Sequence, residues 1–381
     1  MQGVEEFRAE VRDWLAENLV GDFAALKGLG GPGREHEAFE ERRAWNQHLA
    51  KAGLTCLGWP EKHGGRGLSV AHRVAFYEEY ALANAPAKIN HFGEELLGPT
   101  LIAYGTAEQQ QRFLPRILDV TELWSQGYSE PGAGSDLANV STTAVLDGDQ
   151  WVINGQKVWT SLAHWAQWCF VVARTEKGSK RHAGLSYLLV PLDQPGVDVR
   201  PIVQLTGDSE FNEVFFDDAR TDADLVVGEP GDGWRVAMGT LTFERGVSTL
   251  GQQIVYAREL SSVVDLAKQT GAADDPLIRE RLTRSWAGLR AMRSYALATM
   301  DVEQPGQDNV SKLLWANWHR DLGEIAMDIR GKAGLVLAGG DFDEWQRLYL
   351  FTRADTIYGG SNEIQRNIIA ERVLGLPREA R

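Results

Sequence analysis

The sequence predicts an α+β protein in which a small β-domain is set between two helical domains, and three observations predict it. Apolar residues recur at helical spacing through the first third. Short β-branched and aromatic runs replace them from about Leu118, and the helical period returns after Gly231-Asp232-Gly233. A length of 381 residues suits two or three domains. The predicted boundaries are 1–117, 118–228 and 229–381.

In the first domain Val4, Phe7, Val11, Trp14 and Leu15 mark one helical face, and Phe39 to Leu49 another. Gly28 to Gly33 and His63 to Gly67 are turns, the second behind Trp59-Pro60, where proline biases the preceding residue away from helix. The strands of the second domain are Trp151 to Ile153, Cys169 to Ala173, Ser186 to Val190 and Asn212 to Phe216. Between them lie the turns Asp147-Gly148-Asp149, Asn154-Gly155 and Gln194-Pro195-Gly196. No helices of 10 to 15 residues alternate with these strands, which disfavours a parallel doubly wound sheet. The third domain reads as a helical bundle, with helices over 234–268, 276–303, 309–337 and 362–374.

The net charge of −14 sets this chain against nucleic-acid binding, which calls for a basic excess. Two cysteines, Cys56 and Cys169, give neither a disulfide framework nor a Cys-rich zinc module, so a reducing cytoplasm is expected. No secretory h-region and no membrane-spanning apolar stretch is present. The eight histidines lack metal-ligand spacing, so no metal site is expected.

Gly28-Leu29-Gly30-Gly31-Pro32-Gly33 matches the G-x-G-x-x-G spacing, but it follows a helical stretch and holds a proline, which disfavours dinucleotide binding. Two other segments carry more chemistry. Tyr128-Ser129-Glu130-Pro131-Gly132-Ala133-Gly134-Ser135-Asp136 joins hydroxyls to small residues that let backbone N–H groups approach a polar ring or phosphate, though an ordinary Gly-rich turn reads the same way. In Ile153 to Ser161, Trp159 offers an indole to stack on a flat cofactor and Ser161 a hydroxyl to bond it.

These two segments resemble the flavin-loop and tryptophan signatures of the acyl-CoA dehydrogenases. Further matches are Gly58-Trp59-Pro60-Glu61-Lys62-His63-Gly64-Gly65, Gly105-Thr106-Ala107-Glu108-Gln109-Gln110 and Ile357-Tyr358-Gly359-Gly360-Ser361-Asn362-Glu363-Ile364-Gln365-Arg366. They span almost the whole chain in the family's order. The resemblance implies a helical N-terminal domain, a central β-barrel-like domain and a C-terminal four-helix bundle. It also implies FAD as cofactor, an acyl-CoA substrate and an electron-transfer flavoprotein as acceptor. By the same resemblance Tyr128 and Ser129 meet the pyrimidine side of the flavin ring, Trp159 flanks the ring and Ser161 bonds its N5. Ser135 lies near the CoA pyrophosphate or the adjacent flavin, and Ser361 touches the ADP part of FAD.

Three departures refine the expectation. The best-known members carry the catalytic carboxylate after the tyrosine, where this chain has Gly359. A minority places it on the helix opening the C-terminal domain, directly before an arginine, which here is Glu244 followed by Arg245. At 100° per residue Glu244 projects within about 40° of Ala237, Ser248, Gly251 and Val255, a small and apolar stripe. From pattern alone, a surface pair with Arg245 or Arg235 remains equally open. The resemblance assigns Glu244 as base, Arg245 to the substrate, and the N–H of Gly359 as a donor to the thioester oxygen. Next, the family's FAD-reaching motifs of homotetramers are replaced by Gly271 to Pro276 and by Asp328-Ile329-Arg330-Gly331-Lys332. A homodimer with altered FAD contacts, or a heteromer with a related chain, is expected. The departures are closest to an actinobacterial sterol-degradation subgroup acting on a methylhexahydroindanone propanoyl-CoA thioester. The basic stretch Arg174 to His182 reads either as a solvated hairpin tip or as a CoA phosphate contact. An acyl-CoA oxidase and a supporting, non-catalytic subunit are the alternative functions.

Overall fold

The computed structural model describes residues 3–243, 248–299, 305–337 and 339–378, apart from the side chains of 248–250. In chain order α1 (Val4–Asn18), α2 (Phe39–Lys51), α3 (Val70–Leu82), α4 (Gly98–Tyr104) and α5 (Ala107–Leu118) come first. The strands are β1 (Trp124–Gly127), β2 (Thr143–Asp147), β3 (Gln150–Ser161), β4 (Trp168–Arg174), β5 (Leu185–Pro191), β6 (Val197–Ile202) and β7 (Phe211–Asp222). Then follow α6 (Gly233–Phe243), α7 (Ser248–Thr270), α8 (Pro276–Thr299), α9 (Gln307–Arg330), α10 (Glu344–Thr352) and α11 (Asn362–Ile368). Packing groups the chain into two compact units rather than by chain order. One holds Met1–Asn18, Val70–Ala85 and Gly246–Arg381, the other Leu19–Ser69 and Pro86–Arg245.

The second unit is built on one sheet, ordered β1-β4-β2-β3-β7-β6 with β5 on β4. Its pairings are antiparallel except β1 with β4, where Trp124 faces Trp168, and a single parallel bridge from β2 to β4. Along β4, Phe170 and Val172 enter a core shared with Leu97, Phe113 and Val236, while Cys169, Val171 and Ala173 enter a second core with Ile153 and Val214. Burial on both faces is why β4 and β5 read as unbroken apolar runs. The Gly105 to Gln110 motif is a helix start. Thr106 Oγ1 accepts from Gln109 N, Gln109 Oε1 accepts from Thr106 N, and the Gln109 amide then donates to Asp224 O and Val226 O. The Gly28 to Gly33 run closes around the buried Arg42 guanidinium, which bonds Glu35 and Ala87 O, so it is a structural turn.

In the first unit α7, α8 and α9 pack on one another around Leu260, Val263, Leu282, Leu322 and Ile325, and α10 packs on α9. Helix α1 is fastened to α3 by Arg8 and Arg12, which pair with Glu78 and Glu79.

The structure corrects three expectations. Asn154-Gly155 is not a turn but a bulge inside β3, where the register to β7 shifts between Ile153 and Gly155. The helix expected to reach residue 337 stops at Arg330 and tightens into a 3₁₀ turn over Gly331–Leu335. Helix α10 was not expected; Asp343 and Gln346 form its capping box. The expected helix 234–268 is described as α6 and α7, and residues 244–247 lie outside the described residues.

Candidate active site

The two signature segments of the β-domain lie together in the second unit. Strand β1 delivers Tyr128 to Glu130 beside β3. Val158 N donates to Ser129 O at 2.9 Å, and Lys157 Nζ donates to Tyr128 O at 3.1 Å, Val172 O at 2.7 Å and Glu130 Oε1 at 2.7 Å. All three ammonium protons of Lys157, a fully buried residue, are thereby used. Glu130 in turn accepts from Thr142 N, Ser141 N and Ser141 Oγ. Burial would raise the Glu130 carboxyl; the Lys157 charge, then its hydrogen bond and those of Thr142 and Ser141, hold it down at about 2.

This clamp presents Trp159. A second bulge in β3, between Lys157 and Thr160, turns the indole outward, 58% exposed, at φ +59. A bulky residue at positive φ is strained, and such strain persists where flanking contacts over-determine it. Here Val158 N is tied to Ser129 O on one side, and Leu162 N to Glu210 O at 2.8 Å on the other. Phe211 braces the indole edge-on at 6.1 Å. Two positions on, Ser161 is half-buried. An exposed strained indole beside a hydroxyl loop suits a flat heteroaromatic group with hydrogen-bonding edges. The residues fit a flavin.

Tyr128 contributes differently from Ser129. Its ring is buried edge-on against Phe170 and Tyr187, so its side chain is core, and its carbonyl holds Lys157. Ser135 is exposed in the loop after Glu130, which Arg174 fixes by donating to Ala138 O and Val140 O. Arg174 is therefore an internal brace of its hairpin; the tip reaches back through Arg181 to Asp136 at 3.7 Å.

Gly359 and Ser361 belong to the first unit. Gly359 is exposed at φ +61, and no described residue accepts its N–H, whereas its carbonyl and that of Gly360 accept from Gln365 Nε2 at 3.0 and 3.1 Å. Ser361 caps α11, accepting from Ile364 N at 3.4 Å. Glu244 and Arg245 lie outside the described residues.

Sequence reasoning missed Lys157 and the role of Glu130, because a salt bridge across 27 positions leaves no periodic trace. It also missed Glu210, whose carboxylate accepts from Gly33 N and Glu35 N, and which burial pushes up to about 7.

The fold and this site define a flavoenzyme class, and comparison with known proteins agrees. Residues 2–121, 125–219 and 231–374 match the N-terminal, middle and C-terminal domains of acyl-CoA dehydrogenase. The chain belongs to the acyl-CoA dehydrogenase family, FAD-dependent oxidoreductases acting on CH–CH groups. It is 86% identical to acyl-CoA dehydrogenase IpdE1 of Mycolicibacterium smegmatis over 99% of each chain. It is 85% identical to IpdE1 of Mycobacterium tuberculosis over the whole of both. Among solved structures it resembles the ChsE4–ChsE5 complex of M. tuberculosis, with a TM-score of 0.82 and 30% identity over 99% of this chain and 98% of that one. The Tcur3481–Tcur3483 steroid acyl-CoA dehydrogenase gives the same values. No helix among the described residues is long and apolar enough to cross a membrane.

Proposed function

We propose that this chain catalyses FAD-dependent α,β-dehydrogenation of a bulky, ring-bearing propanoyl-CoA thioester of sterol origin. FAD, when bound, supplies the acceptor for the hydride leaving the β-carbon. Ser129, Trp159 and Ser161 hold the flavin ring, Tyr128 shapes their loop, and Ser361 meets the ADP part. Glu244 removes the α-proton, while Ser135 and Arg245 contact the substrate. An unactivated α-C–H is too weak an acid to lose its proton unaided, so the Gly359 N–H donates to the thioester oxygen as negative charge develops there. Electrons leave to an electron-transfer flavoprotein.

The observation that carries this reading is the outward, strained Trp159 clamped to the hydroxyl loop. The ring-bearing substrate is supported by the likeness to a steroid acyl-CoA dehydrogenase. Both neighbours named above are pairs of chains, which favours a heteromer with a related subunit over a homodimer.

The test is the visible absorbance of the chain purified alone, then anaerobic titration with linear and ring-bearing CoA thioesters. A flavin spectrum bleached by the ring-bearing thioester is expected, from the chain itself or after a related subunit is co-expressed. Glu244→Gln is expected to keep the flavin and abolish bleaching. Full bleaching by that variant would remove Glu244 as base, and no bleaching of the wild type by any thioester would remove the reading.

A further inference from the structure

The first unit holds a buried charged cluster that the proposed reaction does not use. His319 on α9 is 7% exposed and lies between two carboxylates, with Nδ1 2.7 Å from Asp355 Oδ2 and Nε2 3.0 Å from Glu259 Oε2. A neutral imidazole has one N–H and one lone pair, so it would set a lone pair against a carboxylate. The imidazolium donates to both, and the geometry therefore calls for the charged ring. Burial opposes that charge, but the hydrogen bonds to Asp355 and Glu259 outweigh it and push the pKa up to about 9.

Asp355 opens the turn that carries Gly359. Its second oxygen accepts from Tyr358 Oη at 2.7 Å, and its carbonyl accepts from Lys312 Nζ at 2.8 Å. The Lys312 ammonium lies over the rings of Trp315 and Tyr358 at 4.0 and 4.4 Å. Farther along, Asn362 N holds Thr356 O and Gln365 holds the carbonyls of Gly359 and Gly360. The turn is thus tied down through its carbonyls and side chains, while the N–H of the exposed Gly359 has no acceptor among the described residues. His319 joins this turn to Glu259 on α7.

We propose that His319 is a positioning residue: as an imidazolium between Asp355 and Glu259, it fixes the turn 355–360 so that the Gly359 N–H keeps its place for the thioester oxygen. The inference rests on the acyl-CoA dehydrogenase reading of Gly359. Around the ring, α7 contributes Tyr256 and Glu259, α9 contributes Lys312, and the turn contributes Asp355 and Tyr358. Arg320 and Arg353 are engaged with Glu324, and α8 meets this part of α9 through Ser285 O and Trp318 Nε1. A structural tie would affect stability alone. A positioning tie affects the chemical step, because misplacing an oxyanion donor by about 1 Å costs roughly a hundredfold in rate.

The experiment uses the full chain in its FAD-loaded oligomer, a ring-bearing propanoyl-CoA thioester and ferrocenium as acceptor, over pH 6 to 10. His319→Phe keeps the ring's bulk and loses both hydrogen bonds. Its kcat is expected to fall about ten- to a hundredfold, with KM changed less than about threefold. Asp355→Asn, read by its pH profile alone, keeps an acceptor for Tyr358 and places an amide N–H against Nδ1, which favours the neutral ring. The wild type is expected to lose kcat above about pH 9, and this variant to lose that alkaline limb. An unchanged kcat in folded His319→Phe, or an Asp355→Asn profile that still falls near pH 9, overturns the inference alone. Should His319→Phe fail to fold, the Asp355→Asn profile decides. A wild type that turns over no thioester overturns the dehydrogenase reading, and the inference with it.

Discussion

Lys157→Met is expected to unfasten the loop at Tyr128 to Glu130 at a predictable cost. Methionine fits the aliphatic path of the lysine but donates nothing, so Tyr128 O, Val172 O and Glu130 Oε1 each lose the donor that Lys157 gives them. Glu130 keeps the hydrogen bonds of Ser141 and Thr142 but becomes a buried carboxylate without its cation. Removing one partner of a buried pair costs about 3–5 kcal/mol. For a domain of about 150–250 residues each kcal/mol moves Tm by about 2–4 °C, so a loss on the order of 10 °C is expected. Flavin affinity should fall too, since Ser129 and Trp159 are joined through the backbone beside this pair. Thermal unfolding followed by circular dichroism and by flavin fluorescence reads both. The double variant Glu130→Gln with Lys157→Met removes the stranded charge, and it should be more stable than the sum of the single effects implies. A Tm within about 2 °C of wild type for Lys157→Met, or strict additivity in the double variant, would refute the reasoning.

Two further predictions concern the same sheet. Glu130 titrates at about 2 in the folded chain against 4.5 for an ordinary glutamate, so the stability it contributes is complete above pH 4.5 and lost as pH falls toward 2. Urea denaturation of wild type and Glu130→Gln across that window should show their stabilities converging as pH falls; a constant difference would count against the pair. Gly155→Ala would set a β-carbon 2.5–2.8 Å from Thr142 at φ +152, and a loss of about 1–3 kcal/mol is expected. Gly132→Ala, which meets nothing within 4 Å, is the control and should stay within about 0.5 kcal/mol.

Much of the architecture was legible because it rests on local signals. The β4 and β5 runs and the period of α1 depend on neighbours within one or two turns, whereas the capping box at Thr106, equally local, went unread in a segment taken only as a family match. Asn154-Gly155 misled because the same dipeptide serves a hairpin turn and a bulge; what separates them is Thr142 packed against Gly155, a contact made across the sheet. Within the site, Trp159 and Ser129 stood out by type. Lys157 did not, because an alternating strand residue that is charged normally faces water. It is buried here only because Glu130 and two carbonyls converge on it from segments that the sequence leaves unconnected. His319 was hidden for the same reason, its carboxylates lying 60 and 36 positions away.

Glycine at 359, where the resemblance led one to expect a catalytic carboxylate, also has a local electrostatic reason. A β-carbon at 359 would lie 3.7 Å from Lys312 Nζ, an ordinary contact, so space alone does not exclude a side chain. The backbone does discourage one, since φ +61 costs a residue with a β-carbon about 1–2 kcal/mol. A carboxylate there would moreover extend from a position beside the Lys312 ammonium, which favours its charged form and lowers its pKa. A base held below its usual range is a weaker proton acceptor, whereas an N–H at the same position is unaffected as a hydrogen-bond donor. With Lys312 committed to Asp355 O and to the Trp315 and Tyr358 rings, position 359 suits the donor and not the base. That asymmetry supports the division of labour proposed above, with proton abstraction on Glu244 and the oxyanion contact on the turn that Lys312 and Gln365 hold through its carbonyls.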